Sequence, residues 1–536
     1  MLAPGVARMP EDSRTLMPAQ EQSGDSPSGV SPEIALNLAA TSPAAMNSAT
    51  LPEPAELSEH NADSETQQKD GGGCTVITRN SEINGSLLQD TVVERNCFLH
   101  IRGNVKGSLT ICEGARVVVE GSIDGKVMNK GGNLTVHNNG TITEFLTTDG
   151  PPEKESSVVL KVNLSAISLN WVAMAKHTLS ECAAVVRDDA YGCGIEAVAG
   201  TLARTGCKTF FVSDLAEAKS VRKVASSVNI YVLGGVYPGT APVFAQINAQ
   251  PVINSTIEMA EWDAFVAANL WTGGFALNVK IGAGRFGIPI EEAVPFSARV
   301  HVRAHGISLL MSDLDEEEAA GHPRNERQIK ALQELRMAYP SIPVSLADAP
   351  GMLKFPNAHF DLVRLGGALY GVNPSPGAPT PVLPVIDLLA RIVQIRTVAP
   401  GEVIADNGGW SPKRKSRLAF VAMGYADGYP RPEIAPELQT KTKPDSKKGD
   451  VKAAPEPRLE AIVGGQRCPV VGRAALNSLA IDITDLPDPR LARHGEMVTL
   501  IGAGLGIDDV AAAAKSTGSE VLRNLGHRFH RIYYAG

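Results

Sequence analysis

The segment VVRDDAYGCG, residues 185–194, places several reactive side chains directly after a short apolar run. It carries a guanidinium at Arg187, carboxylates at Asp188 and Asp189, and a phenol at Tyr191. An amine that attacks a carbonyl must first lose its proton. Because a guanidinium stays charged in proteins, Arg187 is no usable nucleophile. Two interpretations of these charges remain, a solvated loop end and an ion pair between Arg187 and one of the two neighbouring aspartates.

Two further motifs are too incomplete to predict a ligand site. The glycine-rich IGAGLG at Ile501 is not followed by an acidic residue at the distance that a dinucleotide-binding βαβ unit requires. The histidines of HRFH, residues 527–530, have no cysteine or acidic partners at ligand spacing, so no metal is predicted. None of the seven cysteines forms a CxxC pair, which argues against a disulfide framework and favours a reducing cytoplasm.

The elements that must position residues 185–194 follow a strand–helix alternation. Apolar runs such as VVLKVNL, TFFVS and FALNVKI alternate with helical stretches about eight times up to residue 371. This pattern predicts a (β/α)8 barrel over residues 158–380. Barrels of this kind carry their functional groups at the carboxyl ends of the strands, where residues 185–194 fall.

Beyond about residue 385 short apolar strands separated by turns replace the helices. We therefore predict a second, mainly β domain over residues 381–536. A lysine-rich and proline-bounded insert, residues 433–458, interrupts it and is predicted to be a mobile surface loop.

A repeat precedes the barrel, within residues 73–149. INGSL begins at Ile83, IRGNV at Ile101 and VEGSI at Val119, each 18 residues after the last, and a fourth copy ending at Ile142 is shifted by one. Each of the three in-phase copies has apolar residues two before and two after a glycine, which face one way on a strand. Stacked copies bury one apolar column, which predicts a short β-solenoid. A small sandwich with evenly spaced hairpins is the alternative.

The remaining segments and the composition limit the classes of protein. Residues 1–72 contain no Phe, Trp or Tyr and are predicted to be disordered, and residues 150–157 read as a polar linker. The formal net charge of −8 gives no support for a nucleic-acid partner. The sequence contains no run of about 18 apolar residues, so no membrane span is predicted, and the N-terminus lacks the apolar core of a signal peptide. The predicted fold class is multidomain α/β plus β.

Blocks spread over residues 158–536 resemble the alanine racemase family of pyridoxal-phosphate (PLP) enzymes. These blocks appear in family order and include VNLSAISLNW, VVRDDAYGCG, GAGRFGI, FDLVRLGGALYGVNPS, MGYADGYPR and SEVLRNLGHRFHR. The resemblance implies a barrel followed by a β domain, PLP as cofactor, and interconversion of L- and D-alanine for peptidoglycan. It also implies an amino-acid substrate and a homodimer that shares its active sites between subunits.

The resemblance also assigns site residues. It implies that Tyr425 is the second catalytic base, and that Arg285 and Leu476 stand at substrate-binding positions. Arg187 occupies the position of the lysine that forms the Schiff base with PLP, and is not expected to form one. The implied cofactor-binding positions are Tyr191, Arg364, Gly366, Gly367 and Ser519.

Several of these positions depart from the family pattern. Asp188 and Asp189 replace Ala and Asn, and are expected to bring two negative charges to the place where a cofactor phosphate would approach. An added carboxylate disfavours a dianion. Further departures are Asp348-Ala349 for Asn-Ser, Asp313 for His, Ser519 for Tyr, Leu476-Asn477 for Met-Asp, and Asn278 at the carbamylated-lysine position.

Two functions remain open from the sequence. We predict a degenerate member of the racemase family whose binding of PLP is in doubt, against an active alanine racemase or another PLP-dependent isomerase. Residues 73–149 resemble the bactofilin family of polymer-forming bacterial cytoskeletal proteins. That resemblance implies self-association, a scaffold role and a place at the inner face of the cell envelope.

Overall fold

The computed structural model describes residues 74–130, 132–136, 141–149, 156–301, 306–315, 323–404, 410–431, 458–526 and 528–535. The segment predicted to be disordered, residues 1–72, lies outside these ranges. So do residues 433–457 of the predicted mobile insert and residues 150–155 of the linker.

Stacked parallel strands form the N-terminal part, as the repeat predicts. They are β1 (Cys74–Ile77), β2 (Ser81–Ile83), β3 (Ser86–Leu87), β4 (Asp90–Val93), β5 (Phe98–Ile101), β6 (Asn104–Val105), β7 (Leu109–Ile111), β8 (Arg116–Val119), β9 (Ser122–Asn129), β10 (Asn133–Val136) and β11 (Thr141–Asp149). One sheet runs β10-β8-β5-β2, and the other contains β1-β4-β7-β9-β11.

The coils stack through the apolar residues and glycines of the repeat. Ile101 and Val119 are fully buried and adjacent in the register of β5 and β8. A Cβ on Gly103 would overlap the backbone carbonyl of Gly85, so a side chain is excluded where the coils touch. The pairing is parallel throughout, which excludes the hairpin sandwich for these strands. Ile142 pairs with Ile123, which matches the one-residue shift of the fourth copy.

Eight parallel strands close the predicted barrel, because β16 also pairs with β17. The elements from β13 onward are β13 (Glu181–Val185), β14 (Thr209–Val212), β15 (Asn229–Val232), β16 (Gln250–Ile253), β17 (Phe275–Lys280), the short side strand β18 (Ile288–Pro289), β19 (Ile307–Met311), β20 (Val344–Asp348) and β21 (Leu362–Leu365). Side chains such as Phe211, Tyr231, Val252 and Leu309 fill the interior as a packed cluster.

Helices connect these strands. They are α1 (Leu164–Ala175), α2 (Arg187–Tyr191, a single turn), α3 (Ile195–Thr205), α4 (Leu215–Val224), α5 (Ala241–Ile247), α6 (Thr256–Asn269), α7 (Ile290–Ala293), α8 (Pro323–Arg336) and α9 (Ala349–Lys354). Asp214 caps α4 by accepting from the backbone amides of Ala216 and Glu217, and Ser255 caps α6 by accepting from Glu258. Within the described chain none of the helices is long and apolar enough to cross a bilayer.

The C-terminal domain is mainly β, as predicted. Its elements are β22 (Ile386–Val398), β23 (Ser416–Val421), β24 (Glu460–Val463), β25 (Gln466–Val471), β26 (Leu479–Asp482), β27 (Met497–Ile501), α10 (Ile507–Ala514), α11 (Gly518–Asn524) and β28 (His530–Ala535). The two helices come directly before the last strand, and α11 packs against α2 at the mouth of the barrel.

The strand at VVLKVNL does not open the barrel, contrary to the sequence expectation. This strand, β12 (Val158–Asn163), pairs antiparallel with β22 and parallel with β28, so it belongs to the C-terminal sheet. The barrel begins instead at β13. A short apolar run predicts a buried strand, but its period does not identify the sheet that it joins.

The solenoid and the C-terminal domain share one sheet. β11 pairs in parallel with β9 and antiparallel with β28, with Thr147 opposite Tyr533. At the other end of the solenoid, β1 pairs only with β4 and β2 only with β5 among the described strands. β3 likewise pairs only with β6. One end of the solenoid is therefore joined to the C-terminal domain through β11, and the other end presents three edge strands.

Candidate functional site

A pocket of about 670 Å³ opens at the carboxyl ends of the barrel strands. Most of the predicted site residues meet there, although they come from four distant parts of the chain. The strand ends supply the floor, and the start of α11 supplies one wall. The predicted residues that line it are Arg187, Tyr191, Arg285, Arg364, Gly366, Gly367 and Ser519.

Two predicted site residues lie elsewhere. Tyr425 is 40% exposed and lines a separate cleft of about 350 Å³, where the guanidinium of Arg431 lies 4.4 Å from its ring centroid. Leu476 is 52% exposed and lines neither cavity; its carbonyl accepts a hydrogen bond from the amide of Ala426 at 3.0 Å. One chain alone therefore does not bring Tyr425 to Arg187.

The turn α2 that carries Arg187 has an unusual backbone. Asp188, Asp189, Ala190 and Tyr191 have φ of 56°, 54°, 54° and 57°, so four consecutive residues with side chains are left-handed. Each such residue costs about 1–2 kcal/mol relative to a right-handed one. Strain of this kind persists only when surrounding contacts hold it, and it is concentrated at functional sites. Sequence reasoning missed this turn, for which the following glycines were the one available signal.

Contacts to Asp189 hold the strained turn in place. Its Oδ1 accepts from the amide of Ile195 at 2.8 Å, and its Oδ2 lies 3.2 Å from Nη2 of Arg531. Its own amide donates to Oε1 of Glu217 at 3.0 Å. Burial raises the pKa of the Glu217 carboxyl. Asp189 therefore faces α3 and β28, and does not line the pocket.

Arg187 is ion-paired, which is one of the two interpretations of its sequence neighbours. Its Nε donates to Oδ2 of Asp188 at 3.1 Å, and its side chain is 37% exposed. The same carboxylate oxygen also accepts from Nε of Arg523, and Ser213 donates to the other oxygen at 3.4 Å. Asp188 therefore lies between two guanidinium groups and is not among the pocket-lining residues. Both aspartates are therefore engaged by arginines and lie outside the residues that line the pocket.

The buried Arg364 is fully engaged by its neighbours. It is 6% exposed, and its Nη1 donates to Oγ of Ser345 at 3.0 Å. Its Nη2 donates to the carbonyl of Ser312 at 2.8 Å and to Oδ1 of Asp313. Asp313 therefore balances the charge of Arg364 at the pocket wall.

Hydroxyl groups converge on the backbone of Gly366 and Gly367. A Cβ on Gly366 would lie 2.6 Å from the Tyr191 hydroxyl, and a Cβ on Gly367 would overlap Oγ of Ser519. Tyr191 is buried and stacked on Tyr370, with ring centroids 4.5 Å apart. Burial raises the pKa of Tyr191, so its phenol remains protonated and can donate. Such a set of hydroxyl and amide donors could hold the phosphate of a cofactor.

The pocket contains no residue that could hold such a cofactor covalently as an imine. No lysine is among the residues that line it within the described chain. Asn278 stands where the resemblance to alanine racemases implies a carbamylated lysine, and its side-chain amide donates to Oδ1 of Asn254 at 2.8 Å. The described residues also contain no group of three or more His, Cys, Asp or Glu placed to hold a metal ion.

Comparison with known families matches both halves of the racemase-like region. Residues 162–374 match the alanine racemase N-terminal domain, and residues 385–533 match the alanine racemase C-terminal domain. Residues before 162 lie outside both matches.

Individual relatives cover the same region. The alanine racemase of Methylobacterium nodulans is 40% identical over 378 residues, which are 70% of this chain and 96% of the relative. The catabolic alanine racemase of Mesorhizobium japonicum is 35% identical over 400 residues, which are 74% of this chain and 98% of the relative.

Solved structures agree in fold. The alanine racemase of Bartonella henselae with covalently bound pyridoxal phosphate superposes with a TM-score of 0.61 at 28% identity, over 70% of this chain and 99% of that one. The biosynthetic alanine racemase of Pseudomonas aeruginosa superposes with a TM-score of 0.60 at 30% identity, with the same coverage.

Proposed function

Because the chain belongs to the alanine racemase family, we propose that it keeps the ligand pocket of that family but does not racemise alanine through a PLP imine. The observation that carries this proposal is Arg187, a guanidinium paired with Asp188 at the position of the family's lysine. Imine formation requires a neutral amine, which a guanidinium does not supply. Loss of that step removes several kcal/mol of catalysis, and each ~1.4 kcal/mol is tenfold in rate.

Membership of the family implies PLP, and the pocket fits that cofactor only in part. The hydroxyls of Tyr191 and Ser519 beside Gly366 and Gly367 suit its phosphate. The anchoring position does not fit, because Arg187 stands where the family has its lysine and no lysine lines the described pocket. When bound, PLP supplies an electron sink for carbanion chemistry.

The alternative is an active racemase or another PLP-dependent isomerase. It is supported by the retention of Tyr425, Arg364 and Arg285. Within one chain Tyr425 lies in a cleft apart from Arg187. A racemase or another isomerase that uses both positions therefore requires a homodimer in which the partner subunit supplies the tyrosine. We therefore propose a homodimer through the racemase region.

A scaffold role would use the solenoid. In each copy the first coil offers the edge strands β1, β2 and β3 among the described strands, whereas β11 at the far end is joined to β28. The sequence of β1, CTVI, carries no charge that would oppose pairing with another edge. We propose that two copies associate through β1, at the inner face of the cell envelope. Thr75→Lys should abolish the larger species in light scattering and leave the racemase dimer, whereas an unchanged size distribution would contradict this.

The decisive test of the proposed function is the absorption spectrum of the full-length protein with PLP, before and after borohydride. We expect no aldimine band, no covalent adduct by mass spectrometry and no alanine racemisation. The control is Arg187→Lys, which restores an amine and should give a borohydride-trapped adduct at residue 187. An adduct on any lysine of the unaltered protein, with turnover, would overturn the proposal in favour of an active isomerase.

A further inference from the structure

We propose that the pocket binds, without a covalent bond, a small molecule that carries both a phosphate and a carboxylate, and that Arg187 binds the carboxylate. This inference rests on the proposed function, in which Arg187 is no nucleophile, and assigns that residue a different task.

The charges that face the pocket leave an excess of positive charge. Two carboxylates line the pocket, against three arginines. Asp313 pairs with Arg364, and Asp348 accepts from the amide of Gly351 at 2.9 Å, a neutral donor that cancels no charge. Arg187 and Arg285 also line the pocket. Asp188 neutralises only one of the two guanidinium groups that it contacts, so the cluster of Arg187, Asp188 and Arg523 carries a net charge of about +1. A ligand for this pocket should therefore be anionic.

The donors of Arg187 are arranged for a carboxylate. Only its Nε is bonded, to Asp188, and its two terminal nitrogens make no hydrogen bond within the described part of the chain. A guanidinium held at Nε still presents the paired terminal N–H groups that bind a carboxylate side-on. The strained turn and the contacts of Asp188 fix the base of this side chain, so little entropy is lost when a ligand binds.

The phosphate would bind beside Gly366 and Gly367 in the same pocket. The Tyr191 and Ser519 hydroxyls lie against the backbone of these two glycines and form a compact neutral donor set. Arg187 is four residues from Tyr191 on the same turn, so one element positions both groups. A molecule with a single anionic group would engage only one of them.

The test uses two aldehyde-free probes, so that no imine can form. The first is the borohydride-reduced adduct of PLP and L-alanine, which has a phosphate and a carboxylate. The second is pyridoxamine 5′-phosphate, which lacks the carboxylate. Calorimetric titration of the full-length protein should show binding of both, with the adduct bound about tenfold more tightly, as expected for one charge-assisted hydrogen-bond pair.

Variants then assign the difference to Arg187. Arg187→Gln should lower the affinity for the adduct about tenfold and leave that for pyridoxamine 5′-phosphate unchanged. Ser519→Ala should weaken both probes. The matched control is Arg396→Gln, an exposed arginine paired with Glu402 on the C-terminal domain, which should change neither affinity. Far-ultraviolet circular dichroism checks that each variant is folded.

Three results would overturn this inference: no binding of either probe, equal affinity for both, or adduct affinity unchanged in Arg187→Gln. None of these results would show that the protein forms an imine with PLP, so the proposed function can stand while this inference fails. Conversely, an aldimine on another lysine would defeat the proposed function and leave the comparison of these two probes valid.

Discussion

Nε of Arg187 and Oδ2 of Asp188 are joined by a 3.1 Å hydrogen bond between adjacent residues of one strained turn. The left-handed φ of 56° at Asp188 accompanies this contact between adjacent side chains. The same carboxylate accepts from Arg523 on α11, so this pair also ties the mouth of the barrel to the C-terminal domain. The pair keeps a cation at the pocket in the position where the family has an amine.

Asp188→Asn should destabilise the protein. The substitution removes the negative charge that lies between the guanidinium groups of Arg187 and Arg523. It also weakens two charge-assisted hydrogen bonds. Because the site is partly exposed, we expect a loss of about 1–2 kcal/mol in the free energy of unfolding, measured by urea denaturation. Asp488→Asn, at an exposed pair with Arg490, is the control and should have no measurable effect. Equal stability of the two variants would contradict the role given to Asp188.

Gly367→Ala should weaken binding of phosphorylated ligands. The added Cβ would overlap Oγ of Ser519 and displace a hydroxyl from the donor set. We expect about a tenfold loss of affinity for pyridoxamine 5′-phosphate by calorimetry, the value of one hydrogen bond to a charged group. Gly506→Ala is the control, because its Cβ would meet only Asp509 at 3.7 Å. Unchanged affinity in Gly367→Ala would show that the phosphate lies elsewhere.

Gly103→Ala should destabilise the solenoid, since its Cβ would overlap the backbone of the coil beneath. Overpacking against backbone costs about 1–3 kcal/mol. Gly85→Ala makes the same chemical change one coil earlier, where no atom lies within 4 Å of the Cβ. Hydrogen exchange over residues 83–123 should therefore accelerate in Gly103→Ala and not in Gly85→Ala. Equal exchange rates would refute close stacking of the coils.

Stability should fall as the pH rises above about 8.5, where an unfolded thiol begins to ionise. Burial raises the pKa of Cys193 and of Cys207 to about 12. Between these pH values the unfolded chain releases thiol protons that the folded chain retains. The free energy of unfolding therefore falls by about 1.4 kcal/mol per pH unit for each thiol. Below about pH 8.5 both states are protonated and the contribution is complete.

The check is urea unfolding at pH 8 and pH 10. The double variant Cys193→Ala with Cys207→Ala should show a shallower loss of stability with pH than the unaltered protein. Val198→Ala is the control, because it leaves a cavity in the same core but removes no titrating group. It should lower stability equally at both pH values. A double variant as steep as the unaltered protein would exclude these thiols as the source.

The sequence by itself determined the features that depend on local pattern and residue type. The 18-residue repeat predicts a β-solenoid, because stacking its in-phase copies buries one continuous apolar column. Strand–helix alternation predicts the barrel, and the charge of a guanidinium excludes Arg187 as an amine. The positions of Arg187, Tyr191, Arg364 and Ser519 in one pocket agree with the resemblance.

Only the tertiary structure decided which partner each of these groups meets. It places β12 in the C-terminal sheet, joins β11 to β28, and separates Tyr425 from the pocket of its own chain. It also pairs Asp188 with Arg523, 335 residues away, so that a carboxylate expected to repel a ligand is neutralised. A sequence shows the charge and the period of each segment. The free energy of a charge or a strand depends on neighbours that only the folded chain brings within contact distance.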